Sequence, residues 1–239
     1  INGEGTTLVM LPWAHTFGLT VELHAFMSQG GALGLVGSID TMLEDFVKVK
    51  PTFFVTVPKV FNTVYNRLWA MMKKEGGAKL KLFKEAVRLA KIKRETGKSS
   101  IRLAILNKLV FGKIKARFGG RLRAAMTGSA PMNLDISHFF LDVGIPVLDC
   151  YGLTETSPGI SMTPPMEPRF GAVGKPMIGT KVIIDRTQVG EDSKDGEIVV
   201  FGPQVMLGYH NKPEKTKEVF VEIDGMRGFR TGDKGWLDD

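Results

Sequence analysis

The stretch Asp149-Cys150-Tyr151-Gly152-Leu153-Thr154-Glu155 follows directly on the apolar run Ile145-Pro146-Val147-Leu148. Such a run is typical of a buried strand of a parallel sheet, and the polar residues after it predict a loop at the strand's carboxyl end. Open α/β sheets bind ligands at that edge. Thr154 can donate to a phosphate oxygen, and Glu155 can hold a hard cation such as Mg2+. The stretch therefore favours nucleotide chemistry, although a polar strand end without a ligand is the plainer alternative.

Strand and helix patterns alternate along the chain before this stretch. Apolar and β-branched runs predict strands at 7–12, 32–36, 53–57 and 122–127. Apolar residues at helical spacing predict a helix at 20–27 and another at 42–50, which Thr41 and Glu44 would begin as a capping box. Asn133 is expected to cap a helix that ends at Val143. This alternation predicts an α/β fold with a parallel-sheet core covered by helices.

The chain divides into two regions by pattern. Residues 1–158 carry the strand and helix alternation, interrupted at about 61–120 by a basic insertion whose apolar spacing predicts two amphipathic helices and a third over 101–118. Residues 159–239 carry short alternating runs at 181–184 and 197–201, separated by Gly, Pro and Asp. We therefore expect a smaller, β-rich antiparallel subdomain at the end of the chain.

Positive charge is concentrated in the insertion. Residues 73–123 hold 17 Lys and Arg against three Glu, a local charge of +14, while the whole chain carries +7. A basic block of this kind indicates a surface that faces phosphates, either of a nucleotide-containing substrate or coenzyme A, of an anionic membrane, or of nucleic acid. A solvated helical face is the alternative.

Composition excludes several classes of protein. The chain is 43% hydrophobic and 24% charged, which is ordinary for a globular protein, and it has no run of about 18 apolar residues and no secretion-signal pattern at its start. One cysteine, Cys150, excludes an intrachain disulfide and fits a reducing compartment. We therefore expect the protein to be cytoplasmic, or peripheral on the cytosolic face of a membrane.

Two functional classes are disfavoured by missing signals. No Gly-x-Gly-x-x-Gly follows a strand, which argues against a dinucleotide-dependent oxidoreductase. The basic block offers few aromatic residues for base stacking, so no nucleic-acid partner is expected.

Five separated segments resemble one known family. The chain is similar to the acyl-activating, adenylate-forming enzymes and, within them, to the long-chain fatty acyl-CoA synthetases. Its basic helical insertion also resembles long-chain members more than acetate-activating or peptide-synthesising ones. The similarity rests on 11–18, 128–131, 151–155, the run 196–209 with its Gly-Glu-Ile-Val-Val, Gly-Pro and Met-Leu-Gly-Tyr motifs, and 231–233.

The resemblance implies a two-step ligase reaction. A fatty-acid carboxylate would attack the α-phosphate of ATP to give acyl-adenylate and pyrophosphate, and the thiol of coenzyme A would then displace AMP to give acyl-CoA. Mg2+ would be the cofactor, with ATP and coenzyme A as co-substrates. From their charge, we interpret the basic helices as a platform for a peripheral contact with an anionic membrane or for the phosphates of coenzyme A. Activation of another carboxylic acid, a luciferase-like use of the adenylate, and a non-catalytic basic membrane-binding module remain as alternatives.

The resemblance also implies roles for particular residues. Thr154 would bond the α-phosphate and Glu155 would ligate Mg2+, which makes these two the catalytic pair. Trp13, His15, Gly128 and Gly152 would border the acyl and coenzyme A channel. The nucleotide would be bound by Gly128, Ser129, Ala130, Asp149, Tyr151, Gly152, Thr154 and Asp233, with Tyr151 against adenine and Asp233 on the ribose hydroxyls.

Two parts of the family pattern are missing from the sequence. The phosphate loop with its lysine is expected upstream of Ile1, and the C-terminal domain with its catalytic lysine is expected beyond Asp239. The chain is thus expected to be a central fragment of the large N-terminal domain, with little or no turnover by itself.

Overall fold

The computed structural model describes residues 4–190 and 192–238. The chain forms two compact units. The first comprises Ile1–Cys150 and Thr163–Gly174, and the second comprises Tyr151–Met162 and Lys175–Asp239.

The first unit is built on parallel strands in the order β2-β1-β3-β4-β5. The strands are β1 (Thr6–Val9), β2 (Ala32–Leu35), β3 (Phe53–Thr56), β4 (Ala124–Thr127) and β5 (Val147–Gly152), the last two residues of β5 belonging to the second unit. All five lie within or beside the runs that predicted strands. The predicted α/β class with a parallel-sheet core is confirmed.

Helices connect these strands. A π-helical segment, Gly18–His24, continues into α1 (Ala25–Ser28), α2 spans Met42–Val49, and α7 spans Leu134–Val143. Asn133 caps α7 as predicted, since its Oδ1 accepts the main-chain N–H groups of Asp135 and Ile136 at 2.9 and 3.2 Å.

The predicted capping box at the start of α2 is wrong. The Thr41 side chain makes no capping hydrogen bond. Its hydroxyl donates instead to Asp45 Oδ2, one turn later, at 3.0 Å, and the same oxygen accepts the Gly37 N–H at 3.0 Å. The Thr41 oxygen accepts the main-chain N–H of Ser38 at 3.0 Å, so its lone pairs serve the turn before the helix and not the helix N–H groups.

The basic insertion folds as predicted, into two long helices and a third segment. They are α3 (Pro58–Glu75), α4 (Gly77–Thr96), and a last run of α5 (Ile101–Leu106), a π-helical turn (Asn107–Phe111) and α6 (Gly112–Arg117). Aromatic rings join the insertion to α7: the ring centroids of Tyr65 and Phe139 lie 5.1 Å apart, and those of Phe83 and Phe139 lie 6.2 Å apart. The insertion therefore shares one hydrophobic core with the sheet.

The second unit is mostly antiparallel, as predicted. β6 (Gly159–Met162) pairs with β7 (Lys175–Pro176), and a four-stranded sheet has the order β10-β11-β9-β8. Its strands are β8 (Lys181–Asp185), β9 (Gly196–Phe201), β10 (Phe220–Ile223) and β11 (Met226–Gly235). A short helix, α8 (Pro213–Val219), was not predicted because it buries no residue and so carries no apolar period. In the described part of the chain, no helix combines the length and apolar character needed to cross a bilayer.

Candidate active site

Unpaired polar atoms lie at the carboxyl end of β4 and at the neighbouring position of β5 in the first unit. Thr127 and Asp149 stand opposite each other in register, and Thr163 donates its main-chain N–H to the carbonyl of Asp149 at 2.9 Å. Thr127 Oγ1, Asp149 Oδ1 and Thr163 Oγ1 are all buried without a hydrogen-bond partner among the described residues. Buried polar atoms are normally paired, so this edge of the sheet carries the property expected of a ligand site.

Burial changes the acidity of the residues beside this edge. It raises the pKa of Asp149 to about 6. Burial, together with the neighbouring Asp149 carboxylate, also raises the pKa of the Cys150 thiol to about 12. The Cys150 Sγ donates to the carbonyl of Thr127 at 3.0 Å. The thiol is therefore protonated at neutral pH and has the character of a packing residue.

The loop after β4 carries the predicted nucleotide-binding residues Gly128, Ser129 and Ala130. Gly128 is buried, and a methyl group there would stand 3.0 Å from Cys150 Sγ and 3.4 Å from the ring of Phe17. Ser129 adopts a left-handed backbone at φ 69° and is exposed. Such conformations in non-glycine residues concentrate at functional sites, where the surrounding structure holds them.

The loop between β1 and the first helix carries Trp13 and His15. Both are exposed, Trp13 by 37%. The His15 Nδ1 accepts the main-chain N–H of Phe17 at 3.2 Å, which fixes the orientation of the ring and leaves Nε2 as its second polar atom. Phe17 is buried and reaches the Gly128 position, so this loop and the loop after β4 meet within the first unit.

A buried glutamate lies beneath this loop and was missed by the sequence analysis. Glu22, on the π-helical segment, is fully buried, and burial raises its pKa to about 8. The main-chain N–H groups of Leu11 and Met10 partly offset that effect, although neither carboxyl oxygen makes a hydrogen bond of ordinary geometry with a described residue. Residue type and spacing did not indicate that Glu22 is buried, because the pattern around it is typical of an ordinary amphipathic helix.

The second unit begins with the loop that carries Thr154 and Glu155. Thr156 shapes it: its Oγ1 accepts the Leu153 N–H at 3.0 Å and lies 2.8 Å from the carbonyl of Pro158. The Pro158 carbonyl also faces Gly152, where a Cβ would stand only 1.6 Å from it. Gly152 thus admits the protein's own backbone at close range. Thr154 is exposed, so its hydroxyl is accessible to a ligand.

Asp233 is hydrogen-bonded to the end of β5, just before this loop. The Tyr151 hydroxyl donates to Asp233 Oδ2 at 2.8 Å across 82 residues of sequence. Burial, and then the bond to Asp233, raises the pKa of the Tyr151 phenol above its usual value.

A β-bulge gives Asp233 its position. The register of β11 against β9 shifts between Arg230 and Lys234, and Gly232 within the bulge has φ 73°. The Thr231 hydroxyl anchors the bulge by donating to the Ile198 carbonyl at 2.8 Å. Bulges re-aim side chains, which explains how a residue on a strand faces the loop.

Glu155 is held by a residue that the sequence analysis did not select. The Tyr209 hydroxyl donates to Glu155 Oε1 at 2.9 Å, and the Glu155 carbonyl accepts the N–H of Met206 at 2.8 Å. Burial and the Glu155 carboxylate raise the pKa of the Tyr209 phenol. The available signal was the Met-Leu-Gly-Tyr motif at 206–209, which contributed to the resemblance without being assigned a role.

The predicted site residues thus form contacts within each unit. In the second unit the structure brings Tyr151 to Asp233 and Glu155 to Tyr209. In the first it brings the loop of Trp13 and His15 against Gly128, beside the pair of Thr127 and Asp149. The ligand roles of these residues remain predictions.

The described residues contain no group of three or more His, Cys, Asp and Glu side chains that could hold a metal ion. Mg2+ commonly binds through one or two carboxylates and completes its shell with phosphate oxygens and water. One oxygen of Glu155 is occupied by Tyr209, which leaves Oε2 for a cation. The residues present therefore fit a magnesium ion that arrives with a nucleotide.

Comparison with known proteins places the chain in a family. It is 34% identical over 239 residues to the long-chain-fatty-acid–CoA ligase FadD15 of Mycobacterium bovis, covering 97% of this chain and 37% of that protein. The structure of apo MatB from Rhodopseudomonas palustris matches with a TM-score of 0.69 at 25% identity, over 100% of this chain and 39% of that one.

A second solved structure shares the fold. The o-succinylbenzoate coenzyme A synthetase of Bacillus subtilis, solved in complex with ATP and magnesium ion, matches with a TM-score of 0.66 at 24% identity, over 100% of this chain and 40% of that one. The chain spans well under half the length of each of these proteins. The AMP-binding enzyme family matches residues 2–210. The chain therefore belongs to the family of AMP-binding enzymes.

Proposed function

We propose that the full-length protein is an AMP-forming long-chain fatty acid–CoA ligase. It activates the fatty acid with ATP to acyl-adenylate and pyrophosphate, and then transfers the acyl group to coenzyme A. The observation that carries the proposal is the hydrogen bond from Tyr151 to Asp233, because it joins two separate family motifs through the residues assigned to adenine and ribose. The similarity to a relative named as a long-chain-fatty-acid–CoA ligase supports the substrate class.

The nucleotide roles follow from the chemistry of the side chains. Asp233 accepts hydrogen bonds from the ribose hydroxyls, since a carboxylate and a vicinal diol form two charge-assisted bonds. Tyr151 lies against adenine and orients Asp233. Ser129 and Ala130, with Gly128 and Gly152, present main chain to the nucleotide, and Asp149 offers it a polar atom.

Adenylation requires two anions to approach each other. Thr154 donates its exposed hydroxyl to an α-phosphate oxygen and stabilises the negative charge that grows there. Glu155 holds Mg2+, in keeping with the magnesium ion and ATP in the Bacillus subtilis synthetase structure. When bound, the ion supplies electrostatic stabilisation of the phosphate oxygens. Tyr209 fixes the Glu155 carboxylate in one orientation.

In the first unit, the acyl chain and the thiol are served by the loops that carry Trp13, His15 and Gly128. Trp13 and His15 border the channel, and Gly128 contributes main chain without a side chain. His15 is held by its Nδ1, so Nε2 can face a polar group of the substrate. The protein acts in the cytoplasm or at the cytosolic face of a membrane, where fatty acids partition.

The proposal is tested by ATP–pyrophosphate exchange with the full-length protein. We expect exchange that depends on a fatty acid of palmitate-like length, and no fatty-acid-dependent exchange would refute the proposal. A series of acids separates it from activation of a shorter or aromatic acid. Each buried CH2 should add about 0.8 kcal/mol of binding until the tunnel is filled.

A further inference from the structure

The segment that closes the basic insertion has an apolar stripe on its exposed side. The stripe consists of Ile101, Ile105 and Leu109, which are 84, 54 and 51% exposed. Residues four apart share a helix face, so the three side chains form one row. The opposite face supplies Leu103, Leu106, Phe111 and Ile114 to the core. The stripe is therefore an outward face on a firmly packed helix.

Positive charge predominates in the sequence that carries the stripe. No Asp or Glu occurs between Glu95 and Asp135, whereas this interval holds eight basic residues: Lys98, Arg102, Lys108, Lys113, Lys115, Arg117, Arg121 and Arg123. Arg102 and Lys108 lie within one helical turn of the stripe. Arg102 approaches Glu85 at 3.6 Å, while Lys108 and Lys113 make no ion pair with any described residue. Their charge is free for an external anion.

We propose that the stripe and its basic border form the surface by which the protein docks on an anionic lipid bilayer. An apolar row flanked by Lys and Arg is the pattern of helices that lie in the membrane interface. The aliphatic side chains enter the acyl boundary, and the basic groups bind lipid phosphates. Charge complementarity selects anionic over neutral lipid.

Nucleic acid fits this surface less well. The large apolar side chains exposed in the insertion are Leu82, Ile92, Ile101, Ile105 and Leu109, all aliphatic. Single-stranded nucleic acid is held largely by stacking on aromatic rings, and duplex backbones offer no partner for an aliphatic row.

Membrane docking extends the proposed function and rests on it, because a fatty-acid ligase takes its substrate from lipid. Its test does not depend on activity. Vesicle binding is measured without ATP or fatty acid, and pyrophosphate exchange is measured separately with the palmitate-like acid. A protein that binds vesicles without exchange would refute the enzyme proposal alone, and the reverse result would refute docking alone.

The experiment is flotation of the full-length protein with vesicles of phosphatidylcholine, with and without 30% phosphatidylserine. We expect binding to the anionic vesicles, at least tenfold weaker in the triple variant I101S/I105S/L109S. Lys108→Glu should weaken binding by at least about fivefold, the effect of one basic residue at such a surface. The matched control is L35S/I39S/V47S, three residues of the first unit that are 65, 73 and 50% exposed, and it should bind as the unmodified protein does.

Three outcomes would overturn the proposal. One is that the protein binds neutral and anionic vesicles equally, or binds neither. Another is unchanged binding by the stripe variant when circular dichroism shows that it is folded. The last is salt-dependent binding of a single-stranded 30-mer oligonucleotide in place of vesicles.

Discussion

The phenol of Tyr151 and the carboxylate of Asp233 are joined by a 2.8 Å hydrogen bond that links the end of β5 to a bulge in β11. The bond fixes the carboxylate before any nucleotide arrives. A preorganised acceptor binds a ribose diol at a smaller entropic cost than a mobile one.

Asp233→Asn should therefore weaken ATP binding. A hydrogen bond to a charged group contributes about 1.5–3 kcal/mol, so we expect the KM for ATP in pyrophosphate exchange to rise roughly 10- to 100-fold. Tyr151→Phe keeps the aromatic ring and should raise the KM for ATP less than Asp233→Asn does. Asp224→Asn, in an exposed turn, is the control. An unchanged KM for ATP in Asp233→Asn would remove Asp233 from the site.

Glu155→Gln should alter the dependence on magnesium. Loss of the anionic ligand is expected to raise the Mg2+ concentration for half-maximal exchange by at least about tenfold, since hard cations prefer carboxylate oxygen. Tyr209→Phe removes only the bond to Oε1 and should shift the same curve by a few fold. If Glu155→Gln lowered the rate at every Mg2+ concentration equally, Glu155 would not be the ligand.

Glu22→Gln should stabilise the protein at alkaline pH. The folded chain keeps the Glu22 proton up to pH about 8, whereas the unfolded chain releases it near 4.5. Deprotonation therefore favours unfolding, and stability is lost as pH rises between these two values. Glutamine cannot lose a proton, so the variant should be equal to or slightly less stable than the unmodified chain at pH 5 and more stable at pH 8.5, by an amount on the order of a few kcal/mol.

Urea unfolding at the two pH values measures this difference. Glu218→Gln, at an exposed position of α8, is the matched control and should show no pH-dependent gain. A stability difference for Glu22→Gln that does not change with pH would contradict a buried, protonated Glu22.

Gly152→Ala should be strongly destabilising. Its Cβ would stand 1.6 Å from the Pro158 carbonyl, and backbone has to move to make room, at a cost of about 1–3 kcal/mol or more. Gly112→Ala is the contrast, because its nearest atom would lie at an ordinary 3.5 Å and alanine favours a helix. Thermal unfolding compares the two, and similar melting temperatures would show that the loop relaxes freely.

Sequence predicted the fold where local signals are strong. The Asn133 cap, the strand runs and the three helical segments of the insertion each follow from residue type and period, and the structure has them. The predicted cap at Thr41 failed because the Thr41 oxygen accepts the N–H of Ser38 in the preceding turn, a contact that residue spacing does not predict. Helix α8 was not predicted because an exposed helix needs no apolar residues at helical spacing.

The candidate site was predictable in its residues but not in its contacts. Asp233 and Tyr151 came from motifs, yet the bulge that aims Asp233 depends on register between strands distant in sequence. Tyr209 was missed because its partner, Glu155, is distant in sequence, and Glu22 was missed because its burial depends on tertiary packing.

Cys150 makes this polypeptide convenient for site-directed labelling. With a pKa of about 12, only on the order of one in 10^5 of its thiols is ionised at neutral pH, and alkylating reagents attack the ionised form. A cysteine introduced at position 105 would react with a fluorescent maleimide far faster than the native one. Probe emission would then report whether water or hydrocarbon surrounds position 105, with little background from labelled Cys150.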